Sequence, residues 1–163
     1  MLKVAVNGFG RIGRSAFKVA VEKHQEELEI VAINDLTSPQ VLAHLLKYDS
    51  AYGIWDHEVS SDEKNIIIDN KKYPVFAEKE PAKLPWKNLN VDVVIESTGR
   101  FTDEEGLKQH LIAGAKKVVL SAPAKGGGVE TLIIGVNARS YKGEQLVNNA
   151  SCTTNCIAPV VSI

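Results

Sequence analysis

The chain has 163 residues, a length typical of one domain with a small remainder, and its 19 basic and 20 acidic side chains leave a net charge of −1. This balance disfavours a nucleic-acid-binding protein, which usually carries a basic excess. The apolar fraction of 44% indicates a soluble globular chain, and no apolar run approaches the roughly 20 residues of a membrane-spanning helix. Residues 1–6 do not have the pattern of a secretory signal, so we expect none, and the only two cysteines, Cys152 and Cys156, form no disulfide framework. We therefore expect a cytoplasmic protein without a membrane partner.

The first 47 residues alternate between buried strands and helices. Apolar runs at residues 2–6 and 29–33 predict strands, and a helical pattern over residues 12–23 lies between them. Ser38 followed by Pro39 is typical of the start of a second helix. The order strand, helix, strand predicts parallel strands joined by a right-handed crossover.

The rest of the chain continues this alternation after an irregular segment. Between residues 50 and 85 the periodicity weakens, and Asp69-Asn70 between two apolar runs predicts a hairpin. Thr102 with Glu105 predicts a capping box at the start of another helix. Further strands are predicted at residues 91–95, 118–120, 132–134 and 146–147. The fold class is therefore α/β, a doubly wound and mostly parallel sheet with an irregular or antiparallel insert around residues 50–85.

Three glycines lie directly after the first predicted strand, at Gly8, Gly10 and Gly13, and they match G-x-G-x-x-G. The first permits a tight turn, the second lets a pyrophosphate approach the backbone, and the third lets the helix pack closely on the strand. Free N–H groups at the start of the helix favour phosphate there. This context predicts a Rossmann-type dinucleotide-binding domain.

Asp35 ends the second predicted strand, 22 residues beyond Gly13, where the fingerprint requires an acidic residue. Its carboxylate accepts hydrogen bonds from ribose hydroxyls and repels a 2′-phosphate, which favours NAD over NADP. A plain tight turn is the alternative interpretation, and Arg11 with Arg14 allows a general anion site. A Walker-type phosphate loop is excluded because no G-K-[ST] follows the glycines.

Ser151 and Cys152 begin the second informative segment. A serine N-cap at Ser151 places Cys152 in the first turn of a helix, where the helix dipole favours the thiolate form. Cys156 lies one turn later on the same face, but no further ligands at suitable spacing accompany the pair, so we expect no metal site. Spacing alone also allows two small buried thiols.

Several segments together resemble the glyceraldehyde-3-phosphate dehydrogenase family, in the expected order and over the whole chain. They are KVAVNGFGRIGR at 3–14, NDL at 34–36, ESTG at 96–99 with Phe101, SAP at 121–123, GVN at 135–137 and ASCTTNC at 150–156. The resemblance implies that Cys152 is the nucleophile that attacks the aldehyde of glyceraldehyde 3-phosphate. A hemithioacetal forms, hydride transfer to NAD leaves a thioester, and inorganic phosphate cleaves it to 1,3-bisphosphoglycerate.

The resemblance also assigns roles to individual residues. Ser151 and Thr153 match positions near the attacking phosphate, and the backbone N–H of Cys152 matches an oxyanion donor. The positions that match cofactor contacts are Asn7, Gly8, Gly10, Arg11, Ile12, Gly13, Asp35, Thr98 and Ser121. Arg11 and Ile12 are expected to act through their backbone.

The family's catalytic histidine lies downstream of the cysteine segment, in a second domain. None of the four histidines here matches it, and we expect each to be solvated or packed. Residues 1–151 are expected to form the NAD-binding domain, and residues 152–163 the first helix of a catalytic domain that this chain otherwise lacks. We therefore expect the chain alone to bind NAD weakly, without oxidising the aldehyde, and the full-length enzyme to be a homotetramer.

Other interpretations remain open at this stage. Erythrose-4-phosphate dehydrogenase uses the same cysteine chemistry, and substrate selection lies mostly in the second domain. Aspartate-semialdehyde dehydrogenase also pairs a dinucleotide fold with a late cysteine, but its glycine loop has different spacing. A non-catalytic NAD-binding module is the alternative from another class of function.

Overall fold

Eleven strands and four α-helices make up the computed structural model, which describes residues 1–163. The strands are β1 (Leu2–Asn7), β2 (Leu28–Asn34), β3 (Tyr48–Asp49), β4 (Gly53–Ile54), β5 (Val59–Ser61), β6 (Asn65–Ile68), β7 (Lys71–Phe76), β8 (Val93–Glu96), β9 (Lys117–Leu120), β10 (Glu130–Thr131) and β11 (Leu146–Asn148). The helices are α1 (Arg11–Lys23), α2 (Pro39–Lys47), α3 (Glu104–Ile112) and α4 (Cys152–Val161). No helix is both long and apolar enough to cross a lipid bilayer.

Nine strands form one sheet in the order β10-β11-β9-β8-β1-β2-β7-β6-β5. The seven strands from β10 to β7 are parallel, whereas β7, β6 and β5 pair antiparallel. From β1 the chain builds the sheet first toward β2 and later, on the other side, toward β8. The predicted fold class is confirmed, including the antiparallel insert, and the strand order reverses direction beside β1.

The insert contains the predicted hairpin between β6 and β7. Asp69 and Asn70 form its two-residue turn with φ of 46° and 69°, as a type I′ turn requires. Two local predictions are wrong. The cap of α3 is Asp103 rather than Thr102, since the Asp103 carboxylate accepts the N–H of Gly106 at 2.8 Å.

The strand predicted at 132–134 is also wrong, because the strand there is Glu130–Thr131 and a turn follows it. The side chain of Asn137 accepts the N–H of Ile133 at 2.7 Å and donates to the carbonyl of Thr131 at 2.9 Å. Gly135 in the same turn has a φ of 84°. These bonds satisfy the backbone locally and prevent the apolar run from pairing as a strand.

Separate apolar cores cover the two faces of the sheet. Phe17 of α1 lies at the centre of one core, edge-on to Phe9 and Tyr73 with ring centroids 5.4 and 5.0 Å away. Trp86 and Leu107 lie in the other core, beneath α3, and both are fully buried. Val6 of β1 and Val94 of β8 are fully buried in these two cores, which anchors both strands close to their carboxyl ends.

Candidate active site

A cleft of about 260 Å³ opens at the carboxyl edge of the sheet, beside β1 where the strand order reverses. In open α/β sheets this is the place where ligands bind. The residues that line the cleft come from the ends of β1, β2 and β8 and from neighbouring loops: Asn7, Gly8, Gly10, Asn34, Asp35, Leu36, Glu78, Lys79, Ser97, Thr98, Arg100 and Phe101. The volume suits part of a dinucleotide, since pockets for small ligands are usually roughly 300–1,000 Å³.

A larger cavity of about 410 Å³ lies at the opposite edge of the sheet, near Met1, Leu28 and Tyr73. It contains no glycine loop and no helix N-terminus directed at a ligand. Other cavities are larger still, and one of about 710 Å³ lies beside Leu2, Val93 and Tyr141. Size alone would therefore favour another place, but parallel sheets bind ligands at their carboxyl edge. We therefore place the candidate site in the smaller cleft.

The three predicted glycines serve different purposes in the turn from β1 to α1. Gly8 has a φ of 88°, and a Cβ there would lie 2.6 Å from the backbone nitrogen of Thr98. A Cβ on Gly13 would lie 2.1 Å from the carbonyl oxygen of Gly8. By contrast, a Cβ on Gly10 would meet no atom within 4 Å. Gly8 and Gly13 thus permit close packing, whereas Gly10 borders the open space that a diphosphate group would fill.

The N-terminus of α1 follows this space directly. Gly10 is the N-cap, and no side chain caps the helix, so the first N–H groups of the helix have no side-chain acceptor. The Arg14 guanidinium donates to the carbonyl of Phe9 at 2.9 Å and so closes back on the loop. An anion in this turn would meet the backbone N–H groups of Arg11 and Ile12 together with the positive end of the helix dipole.

Asp35 lies next to the glycine loop. Its Oδ2 accepts the N–H of Phe9 at 2.7 Å, and its Oδ1 accepts the N–H of Thr37 at 2.9 Å. These two bonds fix the carboxylate on the wall of the cleft. Each oxygen retains a lone pair, so the carboxylate can still accept hydrogen bonds from hydroxyl groups of a ligand.

Asn34 holds the loop that forms the opposite wall. Its amide donates to the carbonyl of Glu78 at 2.9 Å and accepts the N–H of Glu78 at 2.9 Å, as a strand partner would. The backbone N–H of Glu80 donates to the Glu78 carboxylate, and this bond lowers the pKa of Glu78 from its usual value. The loop around Glu78 therefore adds a second ionised carboxylate to the cleft.

Glu96 and His110, which the sequence analysis left without a specific role, form a fully buried pair behind the cleft. His110 Nε2 lies 3.0 Å from Glu96 Oε2, and the amide of Asn7 donates to the same oxygen at 2.5 Å. The hydroxyl of Thr98 donates to Glu96 Oε1 at 2.5 Å. The only sequence signal for the pair was an acidic residue at the end of an otherwise apolar strand.

Cys152 is exposed at the first position of α4. Ser151 is the N-cap as predicted, and its hydroxyl accepts the N–H of Thr154 at 3.0 Å. The hydroxyls of Ser151 and Thr153, the residues on either side of Cys152 in the sequence, are 2.9 Å apart, so these two predicted phosphate contacts lie together. Cys156 is also exposed, which excludes the interpretation of two buried thiols.

Asparagine side chains hold the turn that leads from β11 to Cys152. Ala150 has a φ of 54°, an unusual value for a residue with a side chain, and the Asn148 side chain accepts its N–H at 2.9 Å. Asn155 donates to the carbonyls of Asn149 and Ser151 at 2.6 and 2.9 Å. A backbone in this conformation needs such support, and it often occurs at functional sites.

The predicted site residues form a row along one edge of the sheet, in the strand order β2, β1, β8, β9, β11. Asp35 follows β2, Thr98 follows β8, Ser121 follows β9, and Cys152 follows β11. At about 4.8 Å between strands, the row from β2 to β11 is about 19 Å long. The cleft itself is lined by Asn7, Gly8, Gly10, Asp35 and Thr98, whereas Arg11, Ile12, Gly13, Ser121, Ser151, Cys152 and Thr153 lie outside its lining.

Comparison with known proteins agrees with this arrangement. Residues 2–104 match the family model described as the NAD-binding domain of glyceraldehyde 3-phosphate dehydrogenase. Glyceraldehyde-3-phosphate dehydrogenase of Mycoplasma pneumoniae is 52% identical over 163 residues, which cover 99% of this chain and 48% of that protein. The enzymes of Thermotoga maritima and Geobacillus stearothermophilus are 51% and 49% identical, with 49% and 48% of their lengths covered.

The chain thus spans about half the length of the curated relatives it matches. The matched region contains the glycine turn, Asp35 and the buried Glu96, and the cofactor of the matched domain is NAD. The predicted resemblance and the predicted cofactor are confirmed. The chain belongs to the glyceraldehyde-3-phosphate dehydrogenase family, and it contains that family's NAD-binding domain.

Proposed function

We propose that this chain is the cofactor-binding half of a cytoplasmic enzyme that oxidises and phosphorylates glyceraldehyde 3-phosphate, with Cys152 as the nucleophile. One observation carries the proposal. An exposed cysteine begins α4 at the same edge of the sheet as the glycine turn and Asp35. Such a row can hold an extended dinucleotide with its reactive end toward the thiol.

The part of this chain in cofactor binding follows from its own groups. The N-terminus of α1 and the open space at Gly10 suit the pyrophosphate of NAD. Asp35 suits the hydroxyls of the adenosine ribose and disfavours a phosphate in their place. When bound, NAD supplies the acceptor for the hydride that leaves the substrate.

Cys152 performs the covalent step. Its sulfur attacks the aldehyde carbon, and the backbone N–H of Cys152 donates to the oxyanion that develops. Oxidation of this hemithioacetal leaves a thioester on Cys152. Inorganic phosphate, bound near the hydroxyls of Ser151 and Thr153, then attacks the thioester carbonyl and releases the acyl phosphate and the thiolate.

Proton transfer requires a general base that the histidines of this chain do not provide. His24, His57 and His110 are each bonded to a carboxylate elsewhere in the fold, and His44 packs beside Tyr48 with ring centroids 4.9 Å apart, so none of the four is hydrogen-bonded to Cys152. In this proposal, a histidine in the second half of the longer enzyme supplies the base. Residues 152–163 form the first helix of that second domain, and the complete enzyme is a homotetramer.

Calorimetric titration with NAD and NADP tests the cofactor assignment, with one variant and a matched control. Asp35→Asn removes the charge from the cleft, whereas Asp62→Asn changes a carboxylate that also accepts a backbone N–H two residues later but lies outside the cleft. We expect the wild-type chain and Asp62→Asn to bind NAD in preference to NADP. Asp35→Asn should lose about tenfold in NAD affinity, since a hydrogen bond to a charged group contributes roughly 1.5–3 kcal/mol. No binding of NAD by the wild-type chain at millimolar concentration contradicts the proposal.

Alkylation by iodoacetamide tests the assignment of the nucleophile. Cys152 and Cys156 are both exposed and lie one turn apart on α4, so each serves as a control for the other. The variants Cys152→Ser and Cys156→Ser each leave a single thiol for the measurement. We expect Cys152 to react faster at neutral pH, because it occupies the first position of α4, where the free backbone N–H groups of a helix stabilise negative charge that develops on a reacting group. Equal rates for the two thiols would remove the support for Cys152.

A further inference from the structure

The buried pair of Glu96 and His110 connects the core beneath α3 to the wall of the cofactor cleft. Glu96 is the last residue of β8, His110 lies in α3, and neither is exposed to solvent. A carboxylate and an imidazole lose hydration energy when they are buried. Apolar side chains could fill the same positions without that cost. The hydrogen bonds of the pair therefore indicate a purpose other than stability.

The indole of Trp86 determines which nitrogen of His110 carries the proton. Trp86 Nε1 lies 3.0 Å from His110 Nδ1, and an indole nitrogen can only donate. His110 Nδ1 must therefore accept, which puts the imidazole proton on Nε2, facing Glu96 at 3.0 Å. The imidazole in this tautomer acts as a donor to the carboxylate.

Four donors surround the Glu96 carboxylate. Its Oε2 accepts from His110 Nε2 and from the amide of Asn7, while its Oε1 accepts the backbone N–H of Thr98 at 2.8 Å and the Thr98 hydroxyl at 2.5 Å. Each of these four neighbours has a proton to donate, so both carboxylate oxygens can act as acceptors toward all of them. All four donors are thereby committed to Glu96.

Because these protons are already bonded to Glu96, they are not free to bond to a ligand in the cleft. Thr98 gives its only hydroxyl proton to Glu96, and its oxygen also accepts the N–H of Arg100 at 3.1 Å. Toward the cleft, the hydroxyl oxygen of Thr98 can therefore only accept. The carbonyl oxygen of the Asn7 amide is similarly occupied, because Asn34 donates to it at 2.7 Å.

We propose that Glu96 and His110 are positioning residues that orient Thr98 and Asn7, so that Thr98 accepts a hydrogen bond from a hydroxyl group of the bound NAD. The inference rests on the proposed function, because it assigns this wall of the cleft to the cofactor. A hydroxyl of a ribose can donate to Thr98, whereas an unprotonated phosphate cannot. Glu96 thus favours the hydroxyls of NAD without contacting them.

Replacement of Glu96 by glutamine tests whether the Thr98 hydroxyl accepts or donates a hydrogen bond in the cleft. The glutamine amide has nearly the same shape, but its NH₂ group must face either His110 and Asn7 or Thr98. Because Trp86 keeps the His110 proton on Nε2, we expect the NH₂ group to face Thr98. There the backbone N–H of Thr98 loses its acceptor, and the Thr98 hydroxyl must reverse and donate into the cleft. We expect Glu96→Gln to weaken NAD binding about tenfold, the change that one such hydrogen bond produces.

Asp92→Asn is the matched control for this variant. Asp92 immediately precedes β8, at the opposite end of the same strand, and its carboxylate also accepts a backbone N–H, that of Lys3 at 2.9 Å. We expect NAD affinity unchanged in this variant. If the wild-type chain binds NAD and Glu96→Gln binds it equally well, the inference is overturned and the proposed function stands. If the wild-type chain binds no NAD, both are overturned.

A double-mutant cycle with Thr98→Val separates positioning from general destabilisation. If Glu96 acts through Thr98, each single variant weakens NAD binding about tenfold and the double variant little further, whereas independent effects multiply to about a hundredfold. An additive cycle overturns the inference. Thr98→Ser keeps the hydroxyl and should retain wild-type affinity, and a loss equal to that of Thr98→Val also overturns it.

The tautomer of His110 can be measured on the wild-type chain, so the test does not depend on the folding of Glu96→Gln. In ¹⁵N spectra of the imidazole nitrogens, we expect His110 to carry its proton on Nε2 and to show an unprotonated, hydrogen-bonded Nδ1. A proton on Nδ1 would contradict the network and overturn the inference.

Discussion

Two glycine substitutions in the turn from β1 to α1 are expected to separate stability from cofactor binding. A Cβ on Gly13 would lie 2.1 Å from the carbonyl oxygen of Gly8 and 2.9 Å from the Ser97 hydroxyl. Both contacts are far shorter than van der Waals distance, and one is with the backbone. A Cβ on Gly10 would meet nothing within 4 Å, and the φ of −71° at Gly10 is acceptable for alanine.

The magnitudes follow from what must move. Gly13→Ala requires α1 to move away from the turn by about 1 Å, which loosens the packing of Phe17 in the core. Overpacking of this kind costs typically 1–3 kcal/mol, and we expect about 3 kcal/mol here because the backbone must shift. That loss lowers Tm by about 6–12 °C in a domain of this size. Gly10→Ala should change stability by less than about 0.5 kcal/mol, since a weaker N-cap and a less flexible unfolded chain offset each other.

NAD binding is expected to weaken in both variants. In Gly10→Ala, the new methyl group occupies the space beside the N-terminus of α1, and NAD affinity should fall at least tenfold, or about 1.4 kcal/mol. Gly13→Ala displaces that N-terminus and weakens binding indirectly.

Urea unfolding and NAD titration measure the two effects. The fluorescence of Trp55 and Trp86, which are buried on opposite faces of the sheet, monitors the unfolding of both cores. Gly13→Ala with wild-type stability would refute the packing argument. Gly10→Ala with wild-type NAD affinity would refute the assignment of the open space to the diphosphate.

Two further predictions concern stability. Asp103→Ala removes the side-chain cap of α3 from the N–H of Gly106 and should cost about 1 kcal/mol in urea unfolding, and a negligible change would contradict the assignment of this cap. For Asp92, hydrogen bonds from the Lys116 ammonium and then from the Lys3 N–H lower the pKa of the carboxyl in the folded chain. The unfolded chain therefore binds the proton more tightly, so this stabilisation is present above about pH 4 and is lost as the pH falls through the lowered pKa. Asp92→Asn should show a shallower loss of stability with acid than the wild-type chain, and equal slopes would contradict this reasoning.

Local signals predicted the start of the fold well. The apolar run of β1, the glycines, the amphipathic α1 and Asp35 follow one another within 35 residues, and each restricts the backbone by itself. The hairpin at Asp69-Asn70 was predictable for the same reason, because few residues tolerate positive φ. The placement of Ser151 as an N-cap also needed no tertiary contact.

Other features depend on partners distant in the sequence and were not predictable locally. The apolar run at 132–134 is typical of a strand, but hydrogen bonds of Asn137 bend it into a turn. Glu96 and His110 are 14 residues apart, and their pairing depends on α3 packing against β8. No periodicity or short motif distinguishes a buried histidine that is paired in this way from a solvated one.

One signal was nevertheless present in the sequence, since four apolar strands end in a polar residue that the fold buries. Asn7, Asn34, Glu96 and Asn148 are the last residues of β1, β2, β8 and β11, and each is at most 5% exposed. An amide or carboxylate is costly to bury, so each must bond to something beyond its own strand. Parallel strands end at the same edge of the sheet, and there these side chains hold the loops that carry the cofactor cleft and the cysteine turn. Buried polar residues at successive strand ends therefore mark the functional edge of such a sheet, even where a single glycine motif is ambiguous.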